Sequence, residues 1–183
     1  MQMKKYLIFM MISIISVAAD QATKKAVNRN IGLHENIVVV EGFFNLTHVR
    51  NTGAAFGILQ GASPKFKFPF FTAVSVAAIL VIGFLFVKTP PEDTLMVYSL
   101  SLVMSGAAGN FIDRALYGYV VDFIEVYFRD YHWPSFNVAD IAISIGAGLM
   151  IIEMFRAGRA QPPAQEVPPP SGTTEQPPPV AGA

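Results

Sequence analysis

The sequence contains no cysteine. That excludes disulfides, thiolate metal sites and a cysteine nucleophile. Histidine is scarce as well: His34, His48 and His132 lie far apart, and none shows the HExxH-type spacing that brings two imidazoles to one helical face. No metal and no cofactor is expected. Charge is thin. Only 14% of the 183 residues are Asp, Glu, Lys or Arg, against roughly 25% in an average soluble domain. Thirteen basic residues cancel thirteen acidic ones, so no global field draws the chain toward nucleic acid. What fills the space is apolar. The chain is 52% hydrophobic with a mean hydropathy of +0.44, which is the composition of a membrane protein.

The apolar residues fall into runs. Tyr6–Ala19 is 14 uncharged residues after Lys4 and Lys5. A bilayer core of about 30 Å asks for about 20, and Val17-Ala18-Ala19 resembles a signal-peptide cleavage site. The helical pattern nevertheless continues: Asp20, Thr23 and Lys24 share a face at i, i+3 and i+4, while Ala22, Ala26 and Val27 stay small or apolar. We read residues 6–27 as a retained first span with a polar exit. Three further spans are expected over about 70–87, 94–112 and 136–155. Between the first two, Ile37–Val40 and Phe43–Val49 are rich in β-branched and aromatic residues, and predict a small sheet over about 36–58 outside the bilayer core. The expected fold class is therefore membrane α-helical, four transmembrane helices with this sheet. Residues 1–160 make one membrane domain, and 161–183, rich in Pro, Gly, Ala, Gln and Thr, make a flexible tail.

Two aspartates interrupt this apolar background. Asp122 follows Tyr119-Val120-Val121, and Asp140 sits within Phe136–Ile143. A charged side chain near a bilayer core costs roughly 2.5–3.5 kcal/mol on insertion scales, which makes an intramembrane acid a candidate functional group. Two neighbouring acids repel, so one keeps a proton while the other ionises, the division of labour of an acid–base pair. Each has a plainer reading: Asp140 as a helix cap or a partner for Arg114, Asp122 as a loop residue facing water. Four spans place both termini on one side. They gather Lys24, Asn51, Asp113, Asp122 and Asp140 near the other. Orientation is not decided by charge. The termini side carries five Lys or Arg and the other side eight, which read naively puts the termini outside. Asp20 and Lys24 form an i,i+4 pair that at an interface is worth only tenths of a kcal/mol. Asn137 lies one turn before Asp140, able either to face the same pocket or to cap the helix.

Five blocks in order resemble the lipoprotein signal peptidases (signal peptidase II), bacterial inner-membrane aspartyl peptidases. They are Asp20-Gln21-Ala22-Thr23-Lys24, Asn51-Thr52-Gly53-Ala54-Ala55-Phe56-Gly57, Gly109-Asn110-Phe111-Ile112-Asp113-Arg114, Val120-Val121-Asp122-Phe123 and Phe136-Asn137-Val138-Ala139-Asp140. The resemblance implies a catalytic dyad at Asp122 and Asp140. Asp20, Lys24, Asn51, Gly53, Asn110, Asp113, Arg114 and Asn137 then fall at substrate-binding or supporting positions. It implies both termini in the cytoplasm, an extracytoplasmic sheet, and an extracytoplasmic helical loop between spans three and four. The implied substrate is a prolipoprotein whose cysteine carries diacylglycerol, cut just before that cysteine. The expected partners are this substrate and membrane lipids, with the enzyme a monomer in the inner membrane.

Overall fold

The computed structural model describes residues 1–53 and 63–160. Residues 54–62, with the block Ala54–Gly57 and the end of the expected sheet, lie outside the described residues, as does the tail from 161 to 183. In chain order the elements are α1 (Gln2–Asn30), β1 (Asn36–Val40), β2 (Phe44–Asn51), α2 (Pro64–Lys88), α3 (Thr94–Tyr117), β3 (Val120–Phe128), β4 (Tyr131–His132) and α4 (Val138–Ala160). All four helices are long and apolar enough to cross a membrane.

The bundle is apolar outside and partly polar inside. Leu80, Phe84, Val87, Ile145 and Phe155 are exposed, whereas Ser99, Ser101 and Ser105 of α3 are buried. Their hydroxyls return to their own helix, as in Ser101 Oγ to Val97 O at 2.6 Å, so these three groups are matched within α3. Helix α3 is central and packs on α1, α2 and α4. The small residues near its end permit this. A Cβ on Gly106 would collide with the Ala139 carbonyl and the Ile143 side chain, and one on Gly146 would press on Ser99 O of α3. At the termini end, Lys5 Nζ donates to Thr89 O at 2.6 Å and lies 4.5 Å from the Phe86 ring centroid, closing the end of α2 onto α1.

At the other end the strands form one antiparallel sheet in the order β1-β2-β3-β4. Val49 pairs with Asp122 and Asn51 with Val120. Helix α3 ends at Gly118, whose φ of 79° is the left-handed conformation that glycine adopts freely, with its N–H on Arg114 O. Two residues later β3 begins. Val121 and Phe123 join Val27 of α1 and Ile31 just after it in a small core under the sheet. Strand alternation then turns Asp122 to the opposite face.

The stretch between α3 and α4 corrects one expectation. It is not a helical loop but β3 and β4, with Phe136 bridged to Ile124. Val120–Phe128 is a run of β-branched and aromatic residues that pairs with β2, some 75 residues earlier in the chain. Helix bounds differ too. α1 runs on to Asn30, and α3 to Tyr117, because Asp113 and Arg114, which mark its expected end, are taken up within the bundle. α2 begins at Pro64, since Pro is favoured at the first helical turn.

Candidate active site

The polar groups converge at the sheet end of the bundle. Asp122 comes from β3 and is buried; Asp140 lies in the first turn of α4 and is half-buried. Asn137 joins them. Its Nδ2 donates to Asp122 Oδ1 at 2.6 Å, while its backbone N–H donates to Asp140 Oδ2 at 3.2 Å. Asp140 N–H returns to Asn137 Oδ1 at 3.0 Å. This is a reciprocal capping box, so Asn137 both caps α4 and faces the pocket.

Two more asparagines hold the carboxylates. Asn51 Nδ2 donates to Asp122 Oδ2 at 2.9 Å, and Asn110 Nδ2 to Asp140 Oδ1 at 2.8 Å. In each of the three amides the oxygen is pinned by a group that can only donate, which fixes the NH2 toward a carboxylate. Gly53 N–H holds Asn51 Oδ1 at 2.8 Å, Lys24 Nζ holds Asn110 Oδ1 at 3.0 Å, and Asp140 N–H holds Asn137 Oδ1. Gly53 sits at a φ of 102° against the Phe71 ring, where a Cβ would not fit. What approaches this glycine is thus an aromatic ring rather than another backbone.

Lys24 is itself buried between two acids, 2.9 Å from Asp20 and 3.0 Å from Asp113. Asp20 Oδ1 accepts from Ala139 N at 2.9 Å, and Asp113 Oδ2 from Val121 N at 3.0 Å. The pair at Asp20 and Lys24 is therefore not the weak interfacial contact expected from sequence. It docks α1 onto α4 next to Asp140 and, through Asp113, onto β3 next to Asp122. Arg114 does not pair with Asp140. It donates to Ser75 Oγ at 3.1 Å and lies 5.9 Å from the Phe71 ring centroid.

Burial and, second, the nearby Asp140 carboxylate push Asp122 up to about 7, against the opposing pull of Asn51, Asn137 and Lys24. Near neutral pH Asp122 is thus protonated part of the time.

All ten residues singled out from sequence lie in or beside this cluster. Three participants were missed. Gln21 donates to Asp113 Oδ1 at 2.9 Å and Gly109 O at 3.2 Å; its adjacency to Asp20 was the available signal. Ser75 and Phe71 lie on α2 and reach the site only by tertiary packing. Of the histidines, His48 donates from Nδ1 to Ile31 O and His132 contacts Glu125.

The profile of the family described as "Signal peptidase (SPase) II" matches residues 12–156. The chain belongs to the signal peptidase II family. It is 46% identical to the lipoprotein signal peptidase of Syntrophus aciditrophicus over 84% of this chain and 96% of that one. It is 44% identical to that of Geobacter metallireducens over 85% and 95%. Two solved structures of bacterial membrane enzymes are similar as well. One has a TM-score of 0.73 at 35% identity over 82% of this chain and 88% of that chain, the other 0.71 at 36% over 81% and 92%. This signal peptidase II is accordingly a membrane-spanning peptidase, and the polar cluster is its candidate active site.

Proposed function

We propose that the protein removes the signal peptide from prolipoproteins whose cysteine carries diacylglycerol, cutting the peptide bond just before that cysteine. The observation that carries this reading is the bridging of two carboxylates from separate elements, Asp122 and Asp140, by the single residue Asn137. A water molecule bound between the two carboxyls is the nucleophile. Asp140, steadied by Asn110 Nδ2 and Asn137 N–H, takes a proton from the water. The water oxygen bonds to the scissile carbonyl carbon, and Asp122, the member that burial keeps protonated, donates to the carbonyl oxygen. Collapse of the tetrahedral intermediate breaks the C–N bond. The proton held by Asp140 passes to the leaving nitrogen, Asp122 takes back a proton from the diol as its C=O bond re-forms, and the signal peptide departs with a new carboxyl terminus. Asn51 and Asn137 orient Asp122. Gly53 supports Asn51, and Asp20, Lys24 and Asp113 support Asn110. Arg114 lends positive charge beside the pair and is placed to bind substrate backbone.

The enzyme works as a monomer in the bacterial inner membrane among membrane lipids, with both termini in the cytoplasm and the sheet end outside. Residues 1–160 are the peptidase unit, since every site residue lies there. The test is mass spectrometry of products from purified enzyme and a diacylglyceryl-modified prolipoprotein. We expect one released peptide ending at the residue before the modified cysteine. Cleavage elsewhere, or none, contradicts the reading.

A further inference from the structure

Asp140 also stands at the mouth of a second feature, on the outward face of α4. A groove of about 330 Å³ is lined by Trp133, Phe136, Asp140, Ile141, Ser144 and Ile145. The four α4 residues are spaced i, i+1, i+4 and i+5 and so form one stripe along the helix. Ile141 and Ile145 are 37% and 51% exposed, and on a membrane-spanning helix that exposure is toward lipid. The one hydroxyl in the stripe is turned away, Ser144 Oγ donating to Asp140 O at 2.8 Å. Below Asp140 the groove therefore offers apolar walls and no free donor.

We propose that this groove receives one acyl chain of the diacylglyceryl group on the substrate cysteine, a reading that rests on the function proposed above. Position supports it first. The modified cysteine follows the scissile bond, so its lipid starts beside the carboxylates. From Asp140 the stripe descends into the bilayer at about 1.5 Å per residue, the direction an acyl chain takes from an interfacial glycerol. Trp133 and Phe136 flank the mouth, where aromatic side chains suit the level of the glycerol and headgroups. Chemistry supports it second. An alkyl chain makes no hydrogen bonds and needs none from these walls. Size supports it third. The groove is too small to seat a helix of about 10–12 Å diameter, which the apolar part of a signal peptide forms in a membrane.

The test compares synthetic prolipoprotein substrates carrying palmitoyl or butanoyl chains on the same diacylglyceryl cysteine, with wild-type enzyme, Ile145→Trp to fill the groove and Ile145→Ala to widen it. Both variants change a lipid-facing position and leave the hydrogen-bonded cluster untouched. Ile145→Trp should raise KM for the palmitoyl substrate at least about tenfold, as expected when some two buried methylenes are expelled, and leave the butanoyl substrate unchanged. Ile145→Ala, which removes part of an apolar wall, should raise KM for the palmitoyl substrate by less than Ile145→Trp does and leave the butanoyl substrate unchanged. An equal effect of Ile145→Trp on both substrates would assign the groove to the signal peptide, and no effect on either would leave it to ordinary membrane lipid; each result overturns the proposal. Failure of the wild type to cleave either substrate would instead refute the proposed function itself.

Discussion

Asn51, Asn110 and Asn137 carry the local precision of the site, because an amide whose oxygen is pinned by a donor must turn its NH2 toward the carboxylate. Gly53 N–H, Lys24 Nζ and Asp140 N–H supply that occupation. The consequence is measurable in the pH profile. Asp122, pushed up to about 7, loses its proton as pH rises through neutrality, so kcat/KM should fall along an alkaline limb near pH 7. Asn51 Nδ2 stabilises the ionised carboxylate. Removing it in Asn51→Ala favours the protonated form, raises the pKa and moves that limb to higher pH. A limb that stays in place or moves down would show that Asn51 does not act on Asp122. The identities of these residues were legible in the sequence as ordered blocks. Their amide orientations were not, since the Lys24–Asn110 bond joins residues 86 positions apart.

Elements meet at this site through charge as much as through packing. Lys24 on α1 lies between Asp20 and Asp113, with all three side chains nearly inaccessible. Removing one member of a buried ion pair leaves uncompensated charge and typically costs about 3–5 kcal/mol. Lys24→Met should therefore lower the thermal unfolding midpoint in detergent markedly, in contrast to the small change expected of a surface pair. An unchanged midpoint would contradict the docking role of Lys24. Hydropathy made the four spans legible, because long uncharged runs have few alternatives. It misplaced their ends, since Asp113 and Arg114 read as a helix exit but are absorbed inside α3, where Lys24 and Ser75 receive them. Strand β3 was read as loop. Its sequence is a good strand, but only the distant β2 completes it, and pairing at that range leaves no local signal.

The whole molecule is a bundle with one polar end. The start of α1 and the end of α4 share the opposite end, so one orientation fixes which compartment sees the carboxylates. Lys and Arg counts favour the sense opposite to the one proposed here, partly because Lys24 and Arg114 lie in the polar cluster. The absence of native cysteine allows a direct check. Glu41→Cys in the exposed turn between β1 and β2 should react with a membrane-impermeant maleimide added outside spheroplasts, whereas Glu92→Cys between α2 and α3 should react only after the membrane is opened. The reverse pattern would invert the proposed orientation. At this scale the event proposed is the hydrolysis of a peptide bond between two carboxyls. The most direct measurement is cleavage of a diacylglyceryl-modified prolipoprotein by purified Asp122→Asn and Asp140→Asn, each verified as folded by its unfolding transition. Either substitution should lower turnover by about 10²–10⁴-fold; near wild-type turnover by either variant would refute a dyad at Asp122 and Asp140.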